Sequence, residues 1–275
     1  MSSKALPAGR QAKVSVIMSV YNGMPYLKEA VESILNQTYK NFEFIIVDDY
    51  SSDNSWLYIR SIKDKRIKPI KNKKNLGLAR SLNIALQQAR GEYVARMDAD
   101  DVSLPNRFEK QINFMLKNPS VGLSGTWAKL IDEDNKVIGE VKKPLDDKNI
   151  KRMNMWITGI IHPSWLGKKF IFDELKGYDV RYDLAEDLDF LIRAKNFRMA
   201  NINKALLLWR SPQKRRSKSD IEAMYRKSLA VRWDHFRKGD LSNLALVFLT
   251  RSLISTFLFP TEFKIFLNKK AGLIL

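Results

Sequence analysis

The hydrophobic and polar positions change period again and again along the first 115 or so residues. Residues 14–20, Val-Ser-Val-Ile-Met-Ser-Val, are an apolar, β-branched run that stops at Tyr21-Asn22-Gly23, so they predict a buried strand ending in a turn. Pro25 then opens a helical pattern in which Leu27, Ala30, Val31, Ile34 and Leu35 share one face. Residues 42–47 predict a second strand, closing on Asp48-Asp49-Tyr50-Ser51, and Asp53-Asn54-Ser55 cap a helix that carries Leu57, Ile59 and Ile62. A short third strand is predicted over 67–70. A helix follows over 76–89, with Leu78, Leu82, Ala85 and Leu86 inward and Gly91 beyond its end. A fourth strand over 93–97 runs straight into Asp98-Ala99-Asp100-Asp101, and a helix over 106–116 stops at Asn118-Pro119.

Beyond Val121 the pattern loosens. Residues 122–131 and 137–141 predict a hairpin across 132–136, the stretch 142–159 is mixed, and 162–172 include a further strand. Residues 186–196 predict a helix with Leu188, Leu191, Ile192 and Lys195 on one face. A polar, basic loop over 211–219 leads to a basic helix over 220–238, carrying Met224, Leu229, Val231 and Trp233. A strongly apolar helix over 243–259 follows, interrupted by Arg251. No internal repeat occurs. Strands alternating with helices predict an α/β fold with a doubly wound, mostly parallel sheet. Such sheets bind ligands beyond the carboxyl ends of their strands, where both acidic clusters, Asp48-Asp49 and Asp98–Asp101, fall.

Composition narrows the chemistry. The 275 residues are 45% hydrophobic and 28% charged, which supports a core and excludes wholesale disorder. The absence of cysteine excludes disulfides, thiolate metal sites and thiol nucleophiles. The two histidines, His162 and His235, cannot build a histidine cage, so a metal would sit mainly on carboxylates, which favours Mg²⁺ or Mn²⁺. The formal charge is +18, and residues 192–275 hold 18 Lys and Arg against 5 Asp and Glu. That basic third is a solvated face, or a surface for anionic lipid headgroups or phosphate-bearing substrates. A nucleic-acid partner is suggested by charge alone; no binding motif accompanies it and the sheet edge is acidic, so none is expected. The polar, basic first residues lack the apolar stretch of a secretory signal, and no run of 18 uncharged apolar residues occurs. The expectation is a cytoplasmic protein, peripheral on the inner face of the cytoplasmic membrane.

The loop after the first strand lacks G-x-G-x-x-G, and no Walker A loop is present, so glycine nests do not cradle a phosphate here. Carboxylates at the edge repel a bare diphosphate. A divalent cation binds both, and Asp98-Ala99-Asp100 suits that role. The second acidic element is Leu184-Ala185-Glu186-Asp187-Leu188-Asp189-Phe190. Its carboxylates suit the positive end of a helix dipole, or supply a general base that deprotonates a hydroxyl nucleophile.

Four segments in this order resemble the family 2 glycosyltransferases, especially bacterial enzymes that build capsule or O-antigen polysaccharides. They are Val14–Asn22 with Ser33-Ile-Leu-Asn-Gln-Thr38; Ile45-Ile-Val-Asp-Asp-Tyr-Ser-Ser-Asp53; Asn75-Leu-Gly77 through Asp98-Ala-Asp-Asp101; and His162-Pro-Ser164 through Gly177-Tyr178 to Glu186-Asp187. The resemblance implies a nucleotide-sugar-binding GT-A fold over 13–210, its nucleotide half at 13–120 and its acceptor half at 121–210. A tail over 1–12 and a basic and apolar helical extension over 211–275 flank it. It implies that Ser19 and Tyr21 line the base and ribose, Asp49 hydrogen-bonds the base, and Arg80 contacts the donor. Asp98 approaches the ribose or a metal water, Asp100 ligates Mn²⁺ or Mg²⁺, and Asp101 supports the loop. His162 lies near the diphosphate. Asp187 is the base, and Glu186 beside it contacts the acceptor or the loop. The implied reaction is inverting transfer from a nucleotide sugar, UDP by family frequency, to a hydroxyl of a lipid-linked glycan. The rival on this fold is a non-catalytic nucleotide-sugar-binding protein. The chain departs from the family pattern at Tyr50, where Gly is usual, and at Val20, where Pro is usual. Processive relatives carry Gln-x-x-Arg-Trp. Here Arg232-Trp233 follow Leu229 instead of Gln, and one sugar per encounter is expected.

Overall fold

The computed structural model describes residues 13–211, 218–243 and 245–250. Its first half follows the sequence periodicity. β1 (Val14–Val20), β2 (Phe42–Asp48), β3 (Ile67–Lys71) and β4 (Tyr93–Arg96) lie parallel in the order β3-β2-β1-β4. The crossovers carry α1 (Leu27–Leu35), α2 (Ser55–Ser61) and α3 (Leu78–Gln88). β1 divides its side chains between two cores. Val14, Val16, Met18 and Val20 pack with Leu27, Val31, Ile34 and Phe108, whereas Ile17 packs with Leu82, Ala85 and Phe190. Burial on both faces is why β1 reads as an almost continuous apolar run. The polar Ser15 is satisfied inside: its hydroxyl donates to Glu43 Oε1 at 2.7 Å and accepts from the Gly91 amide at 2.8 Å.

The second half continues the same sheet with β5 (Val102–Ser103), β6 (Val121–Ile131), β7 (Val137–Val141), β8 (Leu166–Lys168) and β9 (Arg198–Arg210). The order is β3-β2-β1-β4-β8-β6-β9-β5, with β7 paired on β6. β8 runs antiparallel to β4 and β6, β5 runs antiparallel to β9, and β9 is parallel to β6. α4 (Arg107–Lys117) packs Phe108, Ile112 and Met115 into the first core. The hairpin expected over 122–131 and 137–141 forms as β6 and β7. The mixed stretch contains α5 (Asp147–Asn154), capped by Asp146, which accepts from the Asn149 amide. The stretch 162–172 holds a 3₁₀ turn (His162–Ser164), then β8, then α6 (Lys169–Glu174). β9 falls where the periodicity assigns no element. Its Ala, Asn, Lys and Leu residues have little intrinsic strand preference, and pairing with β6, through several register shifts, decides it.

α7 (Glu186–Arg193) runs into a 3₁₀ turn (Ala194–Asn196), and α8 (Lys218–Arg237) packs on it through Val231 against Ala185, Leu188 and Ile192. The expected basic loop at 211–219 lies mostly outside the described residues. Of the expected apolar helix at 243–259, residues 245–250 are described and are helical. Among the described residues no helix is long and apolar enough to cross a membrane.

Candidate active site

The carboxyl edge of the parallel strands positions Ser19, Tyr21, Asp49 and Arg80. Val20 of β1 registers with Asp48 of β2, and the Asp49 amide donates to the Val20 carbonyl at 2.7 Å. The two loops that follow are tied together. Asn22 Oδ1 accepts from the Ser52 amide at 2.9 Å, Ser51 Oγ accepts from the Asn22 amide at 3.0 Å, and Ser55 Oγ accepts from the Gly23 amide at 2.9 Å. Ser19 is half-buried at the end of β1, and Tyr21 is 56% exposed just beyond it. Asp49 is buried. It clamps the turn before α3 by accepting from Asn72 Nδ2 at 2.7 Å and from the Leu76 and Gly77 amides at 2.8 Å each. Arg80 is exposed one turn into α3, with its guanidinium donating to the Leu76 carbonyl at 3.3 Å.

The next strand end carries the acidic cluster. Oxygens of Asp98, Asp100 and Asp101 all lie within 4.8 Å of one another. Asp98 pairs with Arg96, a buried guanidinium at the end of β4 whose Nε and Nη1 have no hydrogen-bond partner among the described residues. Asp101 is buried, and burial, then the charges of Asp100 and Asp98, push its carboxyl well above the usual range. Its Oδ1 accepts from the Arg210 amide at 2.8 Å, while Oδ2 is buried without a partner among the described residues. Arg210, at the end of β9, also holds the Asp100 carbonyl at 2.8 Å and the Asp132 carbonyl at 2.8 Å, so it ties the acidic loop to the β6–β7 hairpin. Three crowded carboxylates, one with an orphaned buried oxygen, are a donor set that fits a hard divalent cation.

His162, Tyr178, Glu186 and Asp187 arrive from the second half. His162 is buried, its Nε2 lies 2.8 Å from the Tyr178 hydroxyl, and its ring centroid is 4.5 Å from that of Trp165. Burial first, then Arg96, hold its pKa well below the ordinary histidine value, so it is neutral at pH 7. Asn83 of α3 grips Tyr178 by both backbone groups, at 2.8 Å each. The phenol of Tyr178 lies within reach of the charges of Arg96, Glu186, Asp187 and Asp98. The acidic loop and the start of α7 therefore converge around Tyr178 and Arg96. A second link is Asp183, whose carboxylate lies 3.3 Å from where a Cβ on Gly77 would sit, so the turn held by Asp49 touches the approach to α7.

The three acids of α7 take three different states. Asp189 is fully buried and paired with Arg193 and His235. Glu186 is buried, with Oε2 unpartnered among the described residues; burial, then the Asp187 charge, push its carboxyl up to about 8, so it carries a proton at neutral pH. Asp187 is half-buried. Sequence reasoning singled out Ser19, Tyr21, Asp49, Arg80, Asp98, Asp100, His162, Glu186 and Asp187; Asp98, His162, Glu186 and Asp187 lie around Arg96 and Tyr178, Asp100 lies beside Asp98, and Ser19, Tyr21, Asp49 and Arg80 sit at the neighbouring ends of β1 and β2 and the start of α3. It passed over Arg96, Asn83 and Arg210, which no local pattern marks, and used Tyr178 only as part of a motif.

The family model for Glycosyl transferase family 2 matches residues 15–176. The chain belongs to that family. It is 41% identical over 208 residues to an uncharacterized glycosyltransferase of Methanocaldococcus jannaschii, covering 73% of this chain and 71% of that one. It is 32% identical over 239 residues to the O-antigen biosynthesis glycosyltransferase WbnJ of Escherichia coli, covering 84% and 91%. Among solved structures, S. aureus TarS in complex with UDP-GlcNAc superposes with a TM-score of 0.70 at 20% identity, over 95% of this chain and 78% of that one. The mannosyltransferase PcManGT of Pyrobaculum calidifontis, in complex with GDP-Man and Mn²⁺, does so with a TM-score of 0.60 at 18% identity, over 96% and 81%. The architecture is the GT-A fold, as the sequence led us to expect, and the protein is a glycosyltransferase of a family that draws on nucleotide sugars.

Proposed function

We propose that this glycosyltransferase is inverting and non-processive, and that it moves a sugar from a UDP-sugar to a hydroxyl of a lipid-linked glycan during bacterial surface-polysaccharide assembly. The observation that carries the reading is the meeting of the Asp98 loop with Glu186 and Asp187 around Arg96 and Tyr178. Ser19, Tyr21 and Asp49 line the base and ribose, Asp49 offering the acceptor capacity left after its three protein hydrogen bonds, and exposed Arg80 reaches the donor. Asp98 and Asp100 would hold Mn²⁺ or Mg²⁺, which when bound supplies Lewis acidity against the charge of a departing diphosphate. Neutral, buried His162 lines the wall near that diphosphate and brings no charge of its own.

Asp187 is the general base. It takes the proton of the acceptor hydroxyl as that oxygen bonds to the anomeric carbon, and the bond to the diphosphate oxygen breaks on the opposite face, leaving its electron pair on UDP. Glu186, holding its proton, keeps the negative charge of the pair on Asp187. The UDP-GlcNAc complex of TarS and the GDP-Man and Mn²⁺ complex of PcManGT support the donor class and the ion, and the O-antigen enzyme WbnJ supports the pathway class. Membrane association is supported by the basic α8 with Trp233 half exposed, followed by exposed Leu246 and Val247.

A panel of nucleotide sugars with Mn²⁺ or Mg²⁺, scored by nucleotide release and thermal shift, tests the reading. Asp187→Asn should cut turnover by about 10²–10⁴-fold while donor binding persists. Unchanged turnover removes Asp187 from the mechanism, and donor binding with no nucleotide release in the wild type points to the non-catalytic alternative.

A further inference from the structure

Arg107 is a buried charge that the transfer reaction leaves unused. It opens α4, it is fully buried, and its guanidinium donates to main-chain carbonyls rather than to a carboxylate. Nη2 donates at 2.9 Å to the carbonyl of Arg96, which ends β4 two residues before Asp98. Nη1 donates at 2.9 Å to the carbonyl of Pro163, beside His162 in the 3₁₀ turn, and lies 3.5 Å from Met97 Sδ. The β4–β8 ladder closes at the Trp165 carbonyl, which accepts from the Arg96 amide at 3.0 Å, and Arg107 extends that link to the turn. One helical turn on, Gln111 Nε2 donates to the Ser164 carbonyl at 2.8 Å. Ser164 is also held independently, since its hydroxyl donates to the Ile161 carbonyl at 2.7 Å and accepts from the Thr126 amide at 3.1 Å. Of these two α4 side chains, only Arg107 joins the end of β4 to the turn.

A guanidinium buried on carbonyls is costly, and Met would fill much of the same space with no charge to desolvate. Packing is therefore a poor reason for it. Geometry is a better one. The guanidinium carries diverging donors in a rigid plane, so it fixes two carbonyls at a set separation, which an ammonium does not. On one side the chain runs from the Arg96 carbonyl through Met97 into the acidic loop, and the Arg96 side chain pairs with Asp98. On the other side stands the turn whose His162 lies 2.8 Å from the Tyr178 hydroxyl. We propose that Arg107 is a positioning residue that locks the acidic loop to the 162–164 turn, so that an ion on Asp98 and Asp100 and a diphosphate beside His162 meet in register. The proposal rests on the reading of those two aspartates as the ion's ligands.

The test uses the full chain and UDP, titrated by calorimetry with and without Mn²⁺. Two quantities are read: the gain in UDP affinity that Mn²⁺ brings, and amide hydrogen exchange of the ion-free protein. Arg107→Lys keeps the charge and much of the bulk but reaches one carbonyl only, and Arg107→Met loses both bonds. Each should lower the gain by about tenfold or more, while UDP affinity without Mn²⁺ stays level. Exchange should quicken together in residues 97–103 and 161–165 and stay level in β2. Gln111→Met removes a buried hydrogen bond that reaches Ser164 alone, so it should lower the melting temperature and leave the gain intact. If Arg107→Met does not fold, Arg107→Lys carries the test. A loss of gain in Gln111→Met equal to that in the Arg107 variants marks general destabilisation and overturns the proposal. Faster exchange spread evenly over the sheet overturns it too. A wild type whose UDP affinity ignores Mn²⁺ removes the ion reading and the proposal with it, whereas a gain that survives in Arg107→Lys removes the proposal alone.

Discussion

Tyr50 holds a φ of +66°, where a side chain crowds its own backbone. The ring is 54% exposed and so buries little to offset that strain. Tyr50→Gly should raise stability by about 1 kcal/mol, read as a higher melting temperature, since relief of strain exceeds the added chain entropy. Glu186 gives a pH-dependent expectation. In the unfolded chain it ionises at its ordinary 4.5, in the fold at about 8, so between these values the unfolded state sheds a proton that the folded state keeps. Stability from this group therefore falls as pH rises through that range. Glu186→Gln keeps the shape without the acid, so its gain in melting temperature should be small near pH 5 and larger near pH 8. The acids themselves were legible because they stand in short motifs at strand and helix ends. Their states were not: Asp187 and Glu186 are chain neighbours of like chemistry, and only burial separates a half-exposed carboxylate from a protonated one.

Among the elements, α7 and α8 are joined by a polar latch. His235 Nε2 lies 2.9 Å from Asp189 Oδ1 and Nδ1 lies 2.8 Å from Asp240 Oδ2, with Arg193 on Asp189 and Lys195 on Asp240. Burial disfavours the imidazolium, but the two carboxylates outweigh it and raise the pKa above the ordinary 6.5. The stabilisation is fully present below 6.5 and is lost as pH rises through the folded value. His235→Asn should lower the melting temperature more near pH 6 than near pH 9, and should expose α8 to proteolysis first. A uniform loss at both pH values refutes a protonated latch. The latch also anchors the helix whose first turn carries Asp187. The helices α1, α3, α4 and α7 were legible, because their apolar stripes are set by period, whereas α5 and α6 were not. β9 was not, because Ala, Asn and Leu become a strand only when β6 offers its edge.

For the whole molecule, charge is the long-range property that counts. Of the formal +18, most resides beyond Ile192, while the sheet edge that carries the site is acidic. We expect the protein to float with vesicles containing anionic lipid and to be released as salt shortens the reach of those charges; full retention in the soluble fraction at low salt sinks the membrane reading. The order of strands and helices in the first half, the parallel sheet and the acids at its edge followed from the sequence alone, because period, turn residues and burial on both faces are local or repeated signals. Convergence did not follow. The approach of Arg96 to Tyr178 and the clamp of Asp49 on the turn before α3 depend on contacts between residues tens of positions apart. Those contacts exist only once the sheet has brought its strand ends together, and burial and pairing, which set each group's charge, are properties of that assembly.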